Sequence, residues 1–179
     1  MKNKSASFFG ACAVMILAIV ALVMPFASGL VKTESITILG AVTTNTEYIK
    51  GFDLIFGSSD SNGNVLITQI SGLLIAWLVM AAAGVFATVG VLLTLISSNK
   101  INLGRISVGF AGLLALASGI LFFFSIPMSG YENSSAGGGT LGGSVTYTLA
   151  IGFILAACFG VTAGLIGLFS SSLSKKASN

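Results

Sequence analysis

The sequence predicts an all-α membrane protein, a four-helix transmembrane bundle carrying a small extracellular β-containing cap from its first outer loop. Three observations predict it. Apolar residues make up 55% of the chain and charged residues 7%, with a mean hydropathy of +1.02, whereas a soluble domain carries roughly 25% charged residues. Four uncharged stretches, residues 8–31, 70–98, 106–128 and 147–173, each meet the ~20 helical residues needed to cross the hydrocarbon layer. Basic side chains are distributed unevenly between the segments that join these stretches. The 179 residues fit one domain, a single four-span unit.

The first stretch follows Lys2 and Lys4 and so has the outline of a secretory signal. A cleavable apolar core is about 7–15 residues long, and this one is longer. Its small-residue exit, Pro25-Phe26-Ala27-Ser28-Gly29, places proline badly for cleavage, so a retained span is expected. Cys12 has no hydrophobic core before it and does not read as a lipoprotein cysteine. Cys12 and Cys158 both lie inside apolar runs, which argues against a disulfide framework in the loops.

Orientation follows from lysine and arginine. Lys2, Lys4, Lys100, Arg105, Lys175 and Lys176 occupy the two ends and the turn at residues 99–104, while Lys32, Lys50 and all the acids, Glu34, Glu47, Asp53, Asp60 and Glu132, lie in the other segments. The positive-inside rule puts both termini and that turn in the cytoplasm, at the plasma membrane, with residues 32–69 and 129–146 as outer loops.

Small residues recur at helical spacing in the later spans. Gly152, Ala156, Gly160 and Gly164 form one smooth stripe in the fourth. Ala111, Ala115 and Gly119 repeat the spacing in the third, and Ala83, Ala87 with Gly84, Thr88 in the second. In lipid, where apolar surface alone drives no association, such stripes let backbones approach closely. They serve packing among the four spans or a dedicated homo-oligomer surface. The halves also resemble each other: Met-Pro-Phe-Ala-Ser-Gly at Pro25 parallels Ile-Pro-Met-Ser-Gly at Pro127, with Gly10 and Gly112 equally far ahead. Duplication of a hairpin and chance matching in a biased sequence both account for this. The two prolines sit near span ends, where a lost backbone bond is tolerated.

In the first outer loop, Ser35-Ile36-Thr37-Ile38 and Val65-Leu66-Ile67-Thr68 favour strand, and Asn62-Gly63 is the best tight-turn signal. Phe52, Leu54 and Phe56, within Gly51-Phe52-Asp53-Leu54-Ile55-Phe56-Gly57, share one side of a strand-like run. They either pack down on the bundle or meet a partner. The second outer loop, with Gly137-Gly138-Gly139 and Gly142-Gly143, reads as a flexible linker. Within it, Asn133-Ser134-Ser135 matches the glycosylation acceptor pattern.

Four spans, inward termini, a longer β-prone first loop and a shorter second one resemble the claudin and PMP-type tetraspan layout. The layout alone is shared, since the loop tryptophan motif and loop cysteine pair of claudins are missing; Trp77 lies in a span. The Gly51–Gly57 phrase resembles small membrane proteins of Gram-positive bacteria and their wall-less relatives, a resemblance that implies no particular chemistry.

No span contains an ionisable residue of the kind that proton relays and ion pathways use. Histidine is absent, and neither cysteine lies outside the spans, so nucleophile–base pairs and metal sites lack their usual components. Asp53 and Glu47 read as solvated loop charges. The expectation is therefore a non-catalytic interaction or scaffold protein, without cofactor or nucleic-acid partner, whose contacts are the lipid bilayer and another envelope protein. The alternative is a small oligomeric pore or solute facilitator lined by Thr88, Thr94, Ser97, Ser107, Ser118 and Thr162.

Overall fold

The computed structural model describes residues 2–96, 101–136 and 141–173. It is mostly helical, with a small antiparallel sheet at one end. The four long helices are α1 (Lys2–Val23), α3 (Ser71–Ile96), α4 (Ile101–Phe123) and α6 (Ile151–Leu173). Between α1 and α3 come β1 (Leu30–Ile38), β2 (Ala41–Ile49), the short helix α2 (Gly51–Phe56), β3 (Ser58–Ser59) and β4 (Val65–Ile67). Between α4 and α6 come the short helix α5 (Ser125–Ser129), β5 (Ser134–Ala136) and β6 (Leu141–Leu149).

All four long helices are long and apolar enough to cross a membrane. Such a segment closes its backbone hydrogen bonds within itself, the condition lipid imposes. Large apolar side chains remain exposed around their circumference, among them Ile16, Val85, Phe110, Leu113 and Phe169. A water-soluble protein would not leave that belt uncovered.

Proline sets where the helices stop at the sheet end. Pro25 sits in a single 3-10 turn, Met24–Phe26, directly after α1. Pro127 cannot donate to Phe123, and the helix breaks at Phe124 before resuming as α5, which ends on Gly130 in the left-handed region. The spans are correspondingly shorter at this end than the sequence suggests. Leu30 and Val31 belong to β1, and Tyr147–Leu149 to β6, because both stretches pair with each other across the sheet. Ser97 and Ser98 lie outside the described residues.

In cross-section α1 and α4 are diagonal, each flanked by α3 and α6. That order is compatible with a duplicated hairpin, but Gly10 and Gly112, equivalent in the sequence repeat, both face α6; a two-fold axis would set them against different helices. The core has two parts. Toward the far end it is lined mainly by Ala11, Ala18, Ala83, Ala87, Ala111, Ala115 and Ala163 around Val14 and Met80. Toward the sheet it is filled by Leu30, Leu54, Ile55, Leu73, Phe122 and Phe153. Small residues hold the helices close at one end, and large ones fill the space beneath the sheet at the other.

The closest approach is between α4 and α6. A Cβ at Gly119 would come within 2.9 Å of the Ala157 carbonyl, and one at Gly160 within 3.0 Å of the Gly119 Cα. Gly112 meets Gly164 and Gly167 in the same way. The α3–α4 contact adds polar links: Ser118 Oγ donates to the Ala76 carbonyl at 2.6 Å and Ser107 Oγ to that of Phe86 at 2.6 Å.

Candidate functional site

The sheet has strand order β2-β1-β6-β5, every pairing antiparallel. Both loops build it. The second loop, expected to be a flexible linker, instead supplies β5 and β6, with Gly142 and Gly143 paired to Thr37 and Ile36. β1 favours extended backbone through its β-branched residues and gains ladder hydrogen bonds on both sides only when β6, more than a hundred residues later, lies beside it. Gly137–Gly139 fall outside the described residues. β3 and β4 form a separate two-stranded ribbon. Its turn holds Gly63 at φ +82°, and Asp60 accepts from the Asn62 and Asn64 amides and from Asn64 Nδ2. Those bonds hold the Asp60 carboxyl below its ordinary range, the Asn64 side chain contributing most.

The sheet joins the bundle at a narrow root. Gly29 N–H donates to the Ile49 carbonyl at 2.9 Å, and Ala150 N–H to that of Gly29 at 3.0 Å. Backbones cross so closely there that a Cβ on Gly51 would strike the Pro25 carbonyl, and one on Gly152 the Ser28 carbonyl. Gly152, at the head of the small-residue stripe, thus faces the α1–β1 connection and not another helix. Ala111, Ala115, Gly119, Ala156, Gly160 and Gly164 are all buried within this one chain. Ala83 and Ala87 are buried too, but nothing stands within 4 Å of a Cβ at Gly84, and Thr88 is exposed. The second span's Gly84–Thr88 stripe is therefore an open face.

Beyond its root the sheet stands clear of the helices. Every β2 residue from Ala41 to Tyr48 is exposed, on both faces alike. A sheet lying flat on the bundle would bury alternate residues. Its two faces differ in chemistry. In register, Lys32, Glu34, Glu47, Ile36 and Ile38 share one face, with the Lys32–Glu34 ion pair, whose hydrogen bond raises the lysine's pKa. Tyr147 lies on that face, stacked on Tyr131 at 4.8 Å, and burial raises the pKa of Tyr131. Thr33, Ser35, Thr44, Thr46, Ser144 and Thr146 share the uncharged face. Asn133 Oδ1 accepts from the Tyr147 amide at 2.6 Å, beside the β5–β6 pairing.

The tip carries the least expected feature. β1 and β2 are joined by Leu39-Gly40, with φ +50° and +83°, so both central residues adopt the left-handed conformation that hairpin twist requires. Leucine is strained there by ~1–2 kcal/mol, yet its side chain is 82% exposed. Ile36 and Ile38 are exposed on one face beside it and Val42 on the other. This apolar tip was missed in the sequence. Its signal was present, two β-prone runs separated by two residues ending in glycine, but Asn62-Gly63 carried the stronger turn chemistry.

The Phe52, Leu54 and Phe56 reading changes. The segment is the helix α2, bounded by Gly51 in its tight crossing and Gly57 at φ +80°. In a helix, residues four apart share a face and the one between points away. Phe52 and Phe56 accordingly pack together, ring centroids 4.8 Å apart and tilted by 40°, while Leu54 is fully buried in the core beside Ile55. The two rings extend through Phe26 and Trp77, and Trp77 Nε1 donates to the Leu22 carbonyl at 3.1 Å. The result is an aromatic cluster at the sheet end of the apolar belt.

Hydroxyls considered for a pore lining are engaged locally. Thr88, Thr94 and Thr162 donate to the Gly84, Val91 and Cys158 carbonyls of their own helices, and Ser107 and Ser118 bond α3. Cys12 is half-buried and Cys158 exposed on the helix surface, both as free thiols. No protein-family model matches the chain, and no curated protein matches it.

Proposed function

We propose that this chain is a non-catalytic integral membrane protein that presents its projecting sheet to another protein of the cell envelope. The observation that carries the reading is the hairpin tip, with Leu39 held in a strained left-handed conformation and exposed next to Ile36 and Ile38 on one face of the sheet. Strain in a solvated loop persists where it serves something other than the isolated fold, and asparagine would relieve it. Apolar clusters displayed to water mark contact sites. In this reading the chain lies in the plasma membrane with the sheet outside and both chain ends in the cytoplasm, on the strength of the one-sided lysine and arginine distribution.

The test is co-purification of the full chain in mild detergent, with and without Ile38→Thr and Leu39→Asn together. Loss of a stoichiometric partner at unchanged melting temperature is expected, and a partner retained at wild-type yield would sink the reading. Topology is read separately by a membrane-impermeant thiol reagent on intact cells. Cysteines at Asn45 and Ser135 should be labelled and one at Asn102 shielded.

A further inference from the structure

We propose that β2 pairs edge to edge, antiparallel, with β2 of a second copy of this chain; this rests on the docking reading above and names its occupant. β2 is one edge strand of the four-stranded sheet, nine residues long against three in β5. Its register with β1 runs unbroken from Leu30 opposite Ile49 to Ile38 opposite Ala41, so no bulge bends the edge away. The two-residue turn makes Ile38 and Ala41 the closing pair. Antiparallel alternation from there points the main-chain N–H and C=O groups of Val42, Thr44, Thr46 and Tyr48 away from β1. The Ile49 carbonyl, on the opposite alternation, is bonded on the β1 side, by Gly29. Edges that must stay single are blunted by proline, lysine, bulges or brevity. The nine residues of β2 contain no proline and no lysine.

The sequence of the edge selects a second copy as the occupant. From either end it reads as two apolar residues, one polar residue, threonine, then the central Asn45. A two-fold interface requires a surface complementary to itself, and an axis through Asn45 provides one. Val42 then lies opposite Tyr48, Thr44 opposite Thr46, and Thr43 opposite Glu47. Every outward main-chain group of those even-numbered positions meets a partner, and Val42 with Tyr48 is a favourable β-branched–aromatic pair. Glu47, the only charged residue in β2, faces threonine. The two Glu47 carboxylates stand ~13 Å apart along the strands, beyond the ~8 Å screening length at physiological salt. Because Ile49 marks the root and Ala41 the tip, the two bundles lie at opposite ends of the joined sheet, so the pairing joins copies seated in two facing membranes and not neighbours in one.

The experiment uses the purified full chain in mild detergent, with Cys12→Ala and Cys158→Ala. Asn45→Cys, which meets its own copy at a closely spaced non-hydrogen-bonded position, should give roughly tenfold more disulfide dimer on mild oxidation than Ser61→Cys in the β3–β4 turn. Adding Thr43→Glu, which sets a carboxylate opposite Glu47 of the other copy, should reduce the dimer severalfold, and Glu47→Lys on top should restore it. These changes lie on an exposed strand, and a melting curve for each confirms the fold. Dimer yield at Asn45 no higher than at Ser61, or no loss and rescue with the charge pair, overturns the self-pairing. In that event Asn45→Cys is oxidised in native membranes. A cross-link to a different polypeptide, or none, removes the self-pairing, while the docking reading stands or falls with the Ile38 and Leu39 variants.

Discussion

Along α4 and α6, backbones meet at Gly119 and Gly160 with no space for a methyl group. At the other end of the molecule, β2 leaves both of its faces and one edge to solvent. The bundle satisfies its polar backbone internally and its side chains by contact, so almost every inward position is constrained by a neighbour. The sheet leaves the outer side of β2 unpaired, and among the described residues it packs against the core at its root, through Leu30, Ile49 and Leu149. Constraint in the first region reflects stability. Lack of it in the second, combined with a strained apolar tip, is the opposite arrangement, and it is why the sheet is the surface proposed to bind.

The contrast breaks most sharply on glycine. Gly160→Leu should cost more than the ~1–3 kcal/mol of ordinary overpacking, because the obstruction includes Gly119 Cα and the Ala115 carbonyl as well as the Met80 side chain. Gly84→Leu, with open space around it, should leave melting in detergent within a few degrees of wild type. Equal melting of the two variants would mean that α4 and α6 do not meet as described.

Next in size is the division within α2. Leu54→Ala should destabilise by about 2–5 kcal/mol, as for other fully buried leucines. Phe52→Ser with Phe56→Ser should lose only about 1–3 kcal/mol of ring contact. Because these rings pack on Phe26 and Trp77 and not on the hairpin tip, that double change should leave partner binding intact. Co-purification abolished at unchanged stability would return the docking surface to α2.

Smaller still is Leu39→Asn, which removes left-handed strain and should stabilise the hairpin locally by about 1 kcal/mol. The measurement is slower amide exchange across β1 and β2 with an unchanged bundle. Faster exchange would show that the leucine side chain holds the tip together.

The smallest effect is on the ribbon turn. Asp60 has its folded-state pKa depressed by the Asn64 and Asn62 donors, so its contribution is complete above the ordinary carboxylate value of about 4. That contribution should fade as pH drops from there through the lower folded value. Exchange of the Asn62 and Asn64 amides should therefore quicken, relative to intrinsic rates, only below about pH 4. A transition near neutrality would exclude Asp60 as its cause.

Composition and spacing alone determined the four long apolar helices, the proline-marked ends of α1 and α4, the small-residue positions that α4 and α6 use, and the strand character of residues 35–38 and 65–67 with the Asn62-Gly63 turn between β3 and β4. Those features are local: a segment in lipid has to close its hydrogen bonds within itself, and a residue's helical face follows from its number. Tertiary structure decided the rest. Only the pairing of β1 with β6 made the glycine-rich loop a strand and drew Leu30 and Tyr147 out of the spans. Only the crossing of Gly29, Gly51 and Gly152 fixed the root, and only packing turned the Phe52–Phe56 run into a helix with Leu54 inside. The left-handed Leu39 had no local propensity to announce it. The alternation in β1 marks a strand but not its partner, because its hydrogen bonds are completed by β6, a segment more than a hundred residues away in sequence.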